Sequence, residues 1–426
     1  MMSAGREGAD MENGSIAAAA GGSHAHEGAQ RLRPRGSNQV GMRQFNERVV
    51  LQAIRLHGPL PKAEIARLTN LTAQTVQIII ARLEAEGLVI KHAPLRGRIG
   101  QPSVPMALNP EGAFSIGIKI GRRSLDVLLL DFAAQVRERL TLDYDFPDPD
   151  TLFDEIRARL KLLRKSLGPK RAQLLRGVGI AAPLSLGGWQ SLLGVAPQQA
   201  ARWNEIDIEA EVQEMTQLPV ALCKDTAAAC VAELVAGRGR SVRSFLYAFV
   251  DTFIGGGLVI DSHLRSGATG NAGAIGSMSM GAALRGEPPR QLLSVASLFT
   301  LEKMYAEAGL DTGAAADARA MQAPWLPVTL AWLALAAPGI ALAAHNAAAL
   351  LDLESVIIDG SFGRELLAAT LAQVDAALAR YDWEGLARPS LMAGAIGADA
   401  RAVGGALLPL YGSFSPDRDL FLKDDV

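Results

Sequence analysis

Apolar residues first recur with a helical period after residue 46. Val49, Val50, Ala53 and Ile54 fall on one face, and Gly58-Pro59 ends the helix that carries them. The segment PKAEIARLTN (61–70) opens with Pro61 near a first helical turn and carries Ile65, Ala66 and Leu68. Asn70-Leu71 makes a turn. Thr72 is a suitable N-cap for a further helix in which Val76, Ile79, Ile80 and Leu83 repeat at i, i+3, i+4 and i+7. Gly87 stops it. LVIKH (88–92) reads as a short strand, RGRIGQP (96–102) as a hairpin tip and SVPMAL (103–108) as the returning strand.

After Asn109-Pro110 strands and helices alternate. FSIGIKIG and LDVLLLD are hairpin-like strands, followed by a helix over 150–167 and the strand RGVGIAAP (176–183). PVALC (219–223) runs into an alanine-rich helix over 225–236. SFLYAFV (244–250) and GLVID (257–261) flank a glycine-rich turn. Helices fill much of 290–351, SVIID (355–359) leads to a helix over 363–380, and a short helix near 398–409 follows. This order implies an α/β protein with sheets flanked by helices. Residues 323–344 carry no charge, which meets the length rule for a membrane span. Pro324, Pro327 and Pro338-Gly339 argue instead for two buried helices broken at Pro338. Residues 1–30 lack periodicity and read as a disordered tail, extended to 45 by a basic stretch containing Arg31, Arg33, Arg35 and Arg43.

Charge sharpens this picture. Hydrophobic content of 49% with 20% charged residues describes a soluble globular chain, and its net charge of -2 hides an asymmetry. Residues 31–101 hold 12 Lys and Arg against 4 Asp and Glu, a balance of +8; the remainder holds 30 against 40, a balance of -10. One segment is built to meet a polyanion. Cys223 and Cys230 are the only cysteines, too few for a disulfide framework and without zinc-site spacing. The charged start and the short Ile16–Ala20 apolar stretch do not form a signal peptide, so a cytoplasmic location is expected.

Three short helices and a two-stranded wing form a winged helix-turn-helix over 46–110, whose second motif helix can enter a major groove about 12 Å wide. With its apolar residues turned inward, that helix leaves Thr72, Gln74, Thr75 and Gln77 facing out, and Gln pairs bidentately with adenine. Arg96 and Arg98 flank Gly97 at the wing tip, a shape suited to a narrow A·T-rich minor groove, and Arg43 would add a phosphate contact. The alternative is a three-helix protein-interaction module with a solvated basic surface.

From about residue 46 onward the chain resembles the ROK family (repressors, open reading frames and sugar kinases). The resemblance rests on LTAQTVQIIIARLEAEGLV, GRIGQP followed by ALNPEGAFSIGIKIG, KDTAAACVAELVAGRG, IGGGLVID, GATGNAGAIGSM and VIIDGSF, in that order. It implies a two-lobed actin/hexokinase-like fold, with a smaller lobe over 111–236 plus 398–426 and a larger lobe over 237–397. Members with an N-terminal winged helix are typically regulators of carbohydrate genes.

The same resemblance frames the cleft. Where ATP-using members have an Asp-x-Gly-Gly-Thr turn, this chain has Lys119-Ile120-Gly121-Arg122-Arg123. The second phosphate loop reads Asp251-Thr252-Phe253-Ile254-Gly255, in which Asp251 would repel phosphate and Phe253 would obstruct it. Phosphoryl transfer is therefore not expected; Arg122 and Arg123 read either as a solvated turn or as a site for an anionic ligand. Asp225 aligns with the family's catalytic Asp, so it reads either as a ligand-hydroxyl acceptor or as a helix cap. Lys224 stands where Asn is usual, and Gly270, Asn271 and Gly273 belong to a well-matched loop. The family's sugar-binding Glu and His are Ala274 and Ser277, and residues 278–300 lack the Cys and His of its structural zinc site. The reading is thus a nucleoid-associated, homodimeric or larger regulator, chiefly a repressor, on a pseudo-palindromic double-stranded operator. It would answer to a small sugar or sugar-derived effector and use no cofactor. An active sugar kinase and a ligand-independent DNA-binding dimer are the alternatives.

Overall fold

In the computed structural model, which describes residues 39–93, 104–184, 186, 197–282 and 289–416, the first helix, α1, runs Gln39–His57. It starts well before residue 46, so Gln39–Phe45 are helical and not part of an unstructured tail. Gln39, Met42, Arg43 and Gln44 are good helix formers, and they extend a helix whose later turns are fixed by packing of Val50, Leu51 and Ile54. Helix α2 (Lys62–Thr69) ends at Asn70, which takes the left-handed conformation at φ 55°. Thr72 then caps α3 (Ala73–Ala85), its Oγ1 accepting from the Thr75 N–H at 3.1 Å. Val76, Ile79, Ile80 and Leu83 of α3 are buried. Strand β1 (Val89–Lys91) pairs antiparallel with β2 (Met106–Leu108), making the wing. Its expected tip, with Arg96 and Arg98, lies outside the described residues.

Two five-stranded sheets follow. The first contains β3 (Phe114–Ile120), β4 (Ser124–Asp131), β5 (Val136–Asp143), β6 (Leu175–Ala182) and β7 (Val220–Lys224), in the order β5-β4-β3-β6-β7. Its first three strands form an antiparallel meander, while β6 and β7 run parallel to β3. Strand β5 is an edge strand alternating exposed and half-buried residues, too polar to stand out in the sequence. Helix α4 (Pro149–Ala172) lays Leu152, Ile156, Leu160 and Leu163 on one face, against a core shared with Ile118 and Val127. Short helices α5 (Pro197–Ala201) and α6 (Ile208–Met215) precede β7.

From β7 the chain passes directly into α7 (Asp225–Ala236), which is buried from Thr226 to Val235. The second sheet contains β8 (Phe245–Val250), β9 (Gly255–Ile260), β10 (His263–Arg265), β11 (Ser355–Gly360) and β12 (Ser390–Ala393), ordered β10-β9-β8-β11-β12. Helices α8 (Leu293–Ala296), α9 (Leu298–Glu307), α10 (Leu326–Leu351) and α11 (Arg364–Leu378) supply its apolar cover. Helix α10 is continuous, against the expectation of a break at Pro338. An internal proline costs roughly 3 kcal/mol, but the buried face through Trp332, Ala336, Ile340 and Ala344 holds both halves in line. The helix is long and apolar enough to cross a membrane, with mean hydropathy 1.8, yet half of that stretch is buried in the protein.

The final helix, α12 (Ala400–Phe414), lies on the first sheet opposite α4 and against α7. It approaches very closely: a Cβ at Gly117 or Gly179 would overlap the α12 backbone, and one at Gly404 would overlap the Ala228 carbonyl of α7. Residues Gln44–Pro416 form one unit in which the winged helix is joined to the sheets. Arg240 donates to the Arg55 carbonyl at 2.8 Å and also to that of Leu56, at the C-terminal end of α1. The Arg55 guanidinium lies 5.2 Å from the Phe132 ring centre.

Candidate functional site

At the head of α3, Thr72, Ala73, Gln74 and Gln77 are exposed and Thr75 is half-buried. The Thr72 and Thr75 hydroxyls lie 2.8 Å apart and hydrogen-bond each other, so both serve the cap. That leaves Gln74 and Gln77 as the outward-directed amides. Ile78, 57% exposed, shares this outer face and was not anticipated; the run Ile78-Ile79-Ile80 is the signal, since one helical face cannot bury all three. Arg43 is exposed on α1. Several other basic residues of the positive segment are committed internally. Arg82 pairs with Glu47 at 2.5 Å, Lys91 with Glu84 at 2.9 Å, and Arg67 with Glu64. Burial and the neighbouring Arg240 charge push Arg55 down to about 10, still protonated at neutral pH.

A second site is a cavity of about 260 Å³ where β7 meets α7. Lys224, Asp225 and Asn271 all line it, as do Ala274 and Ser277. The Lys224 ammonium donates to Asn271 Oδ1 at 2.9 Å, tying the β7 end to the glycine-rich loop. Asp225 Oδ1 accepts from the Thr226 N–H at 2.8 Å, the cap-like role, while the residue still faces the cavity. Gly270 and Gly273 are not among the lining residues. They shape the loop with left-handed φ of 72° and 76°, and Gly273 rests on the Gly257 backbone.

Opposite Asp225 sits a residue that was missed altogether. Arg401, near the start of α12, is 7% exposed and forms an ion pair with Asp251, with Asp225 Oδ2 at 3.9 Å. Its guanidinium also reaches Ser361 Oγ at 3.3 Å and lies 5.4 Å from the Phe249 ring centre. Burial works to raise the Asp251 carboxyl, but the Arg401 and Lys119 charges prevail and hold it below the usual range. Lys119 is itself buried, donating to Ser124 Oγ at 2.5 Å and Asp126 Oδ2 at 3.0 Å. Arg122 stacks on Phe253 at 5.1 Å, and Arg123 pairs with Glu302 at 2.8 Å.

A model of the ROK family matches residues 115–410, most of the chain. The chain belongs to the ROK family. A MarR family model matches residues 44–99, in keeping with the winged helix. The xylose repressor of Bacillus subtilis is 24% identical over 248 residues, 57% of this chain and 62% of that protein. A transcriptional regulator of Mycobacterium tuberculosis is 30% identical over 229 residues, 52% of this chain and 50% of its own. The chain thus spans between half and two-thirds of the length of these curated relatives. Among solved structures, a ROK family transcriptional regulator homologous to the Escherichia coli MLC protein superposes with TM-score 0.63 at 18% identity, covering 90% of this chain and 98% of its own. A ROK family glucokinase from Streptomyces griseus gives 0.55 at 20% identity, covering 70% and 99%. These likenesses show the two-part fold.

Within the ROK frame, the two turns expected to receive nucleotide phosphates are those of Lys119–Arg123 and Asp251–Gly255. Their charged side chains are engaged by neighbours, Lys119 by Ser124 and Asp126, Arg123 by Glu302 and Asp251 by Arg401. The expectation that Asp251 repels phosphate as a bare charge is corrected: Arg401 neutralises it. The ion pair stands in that loop beside the Phe253 ring under Arg122.

Proposed function

We propose that this protein is a sequence-specific, DNA-binding repressor of sugar-related genes that has given up phosphoryl transfer. The observation that carries the reading is the outward-facing Gln74 and Gln77 on a capped helix, in a chain whose ROK cleft holds an Arg401–Asp251 ion pair in a phosphate loop. The names of the curated relatives support it. In this reading 46–110 is the DNA-binding domain, 111–236 with 398–426 the smaller lobe and 237–397 the larger. Two copies, in the cytoplasm at the nucleoid, place Gln74, Gln77, Thr72, Thr75 and Arg43 on half-sites of a pseudo-palindrome, with Arg96 and Arg98 in the flanking minor groove.

The effector enters the cavity at Lys224, Asp225 and Asn271. Helix α7 begins there and ends at Ala236, and Arg240 beyond it grips the last carbonyls of α1. A ligand that favours one lobe arrangement thereby changes the placement of the winged helices. Genomic footprinting with purified protein tests the assignment: discrete palindromic sites near sugar-transport genes are expected, and sequence-indifferent binding would sink it. The Asp225 carboxylate, still facing the cavity, favours the kinase as a second reading. ADP release with a hexose panel, abolished by Asp225→Asn, would establish that one instead.

A further inference from the structure

We infer that Ile78 is a base-reading residue: its side chain meets the 5-methyl group of a thymine in the major groove, within two base pairs of the base that Gln74 reads. This deepens the regulator reading and rests on it.

The phase of α3 places the residue. Thr72 caps the helix, and burial of Val76, Ile79, Ile80 and Leu83 fixes its inward direction. At about 100° per residue, the direction opposite their mean lies roughly 10° from Gln74, 30° from Ile78 and 70° from Gln77. Ile78 therefore stands nearer the middle of the outer face than one of the two glutamines on it. It is 57% exposed and, among the described residues, belongs neither to the core that takes in Ile79 and Ile80 nor to the side chains packed against it. Helix propensity gives no reason for it either, since a β-branched residue at an exposed helical position serves less well than Ala, Gln or Lys.

The surroundings decide what this side chain can meet. The other exposed residues of α3 are Ala73, Gln74, Gln77, Ala81 and Ala85, none of them charged. The charged side chains beside them are engaged, Arg82 with Glu47 and Glu84 with Lys91. Such a face offers no ionic contact to a phosphate and suits base edges, while the balance of +8 over residues 31–101 makes duplex DNA the occupant. In the major groove the thymine 5-methyl is the projecting apolar group; the donors and acceptors of the other edges would lose water against Ile78 and gain nothing. Gln74 and Ile78 are four residues apart, about 6 Å along the helix, which is less than two base-pair steps of about 3.4 Å. An amide that reads adenine and an aliphatic group that reads thymine thus fall on neighbouring base pairs.

The test uses the full-length protein and the duplex it selects from a random library. Each thymine of a half-site is replaced in turn by deoxyuridine, which removes the methyl group and keeps every hydrogen-bonding group, and affinity is read by fluorescence anisotropy. At one thymine the replacement should weaken binding about fourfold, the worth of one buried methyl. That thymine should lie within two base pairs of the position whose preference Gln74→Ala relaxes. The loss should vanish in Ile78→Ala and be intermediate in Ile78→Val, whereas any effect of deoxyuridine on duplex shape would persist in both. Both variants should melt with the parent, because the side chain lies outside the core. Selective binding in which no thymine is sensitive, or in which the sensitivity survives Ile78→Ala or lies farther from the Gln74 position, would overturn this inference alone. So would equal weakening on thymine and uridine duplexes with reduced self-association in sedimentation velocity, which would assign Ile78 to a protein contact. Failure to select any duplex would overturn the regulator reading and this inference together.

Discussion

Replacing Arg401 with Met keeps most of the side chain's length and its contact with Phe249 while removing the charge. Asp251 then stays in a buried position held by Ser361 and the Thr252 backbone, with Lys119 engaged elsewhere by Asp126 and Ser124. Removing one partner of a buried pair typically costs about 3–5 kcal/mol, because the remaining charge is stranded. The pair here is nearly buried, at 8% and 16% side-chain exposure, so solvent screening discounts that figure little. At about 2 °C per kcal/mol for a body of this size, the melting temperature should fall roughly 6–10 °C at pH 7.5.

The pH dependence supplies the stricter test. In the parent chain Asp251 titrates below its usual range, so its stabilisation is present above the unfolded pKa and is lost as pH falls through the folded value. Without Arg401, burial raises the carboxyl instead. The native state then binds the proton more readily than the unfolded one, and the penalty shrinks as pH drops. The gap between variant and parent should therefore narrow from pH 7.5 to pH 5, as read by circular-dichroism melts. Adding Asp251→Asn should restore most of the loss at pH 7.5. A fall of under 2 °C, a gap that widens on acidification, or no rescue by the second substitution would refute the reasoning.

Gln74→Ala and Gln77→Ala should each weaken operator binding by about 1–3 kcal/mol, or roughly 5- to 150-fold, with little effect on non-specific DNA in an anisotropy titration. Thr72→Ala removes the α3 cap and should cost about 1 kcal/mol of stability by chemical denaturation, with Thr72→Ser recovering most of it. Cys223 is pushed up to about 12 by burial first and the Asp225 charge second, against Lys224, and Cys230 is raised well above its ordinary range. Both thiols should resist iodoacetamide at pH 8 in the native protein and react on denaturation; rapid native labelling would contradict the packing. Arg240→Ala should leave effector and operator each bound while cutting the effect of one on the other, measured as the ratio of operator affinities with and without ligand.

The sequence disclosed what is periodic or local. The inward stripe Val76, Ile79, Ile80, Leu83 fixed the orientation of α3, and with it the outward placement of Gln74 and Gln77, because a helix of known phase leaves no freedom. The Lys224-Asp225 junction was legible because a strand running into a helix forces both residues to one end of the sheet. Failures came where distant segments meet. Arg401 follows a short loop and heads an apolar, small-residue helix, and nothing local connects it to Asp251. Its only trace is being a lone charge in ARAVGGALL. Pro338 was over-weighted for a related reason: a proline penalty is local, whereas the packing of α10 that outweighs it comes from the second sheet's core. The start of α1 was under-read because polar helix formers carry no apolar signal.

On the proposed reading, these contacts are what turns a ROK frame from catalysis to sensing. Phosphoryl transfer needs a cleft open to polyphosphate, with bare glycine turns at its mouth. Here the turns carry Arg122, Arg123, Asp251 and Phe253, each held by a neighbour. Helix α7 is buried along its length and sits so close to α12 that the Gly404–Ala228 contact admits no added atom. Such a helix has little room to bend, and packed interiors transmit displacement instead of absorbing it. On the proposed regulator reading, a ligand held by Asp225 and Lys224 acts through this helix on Arg240 and the last turn of α1.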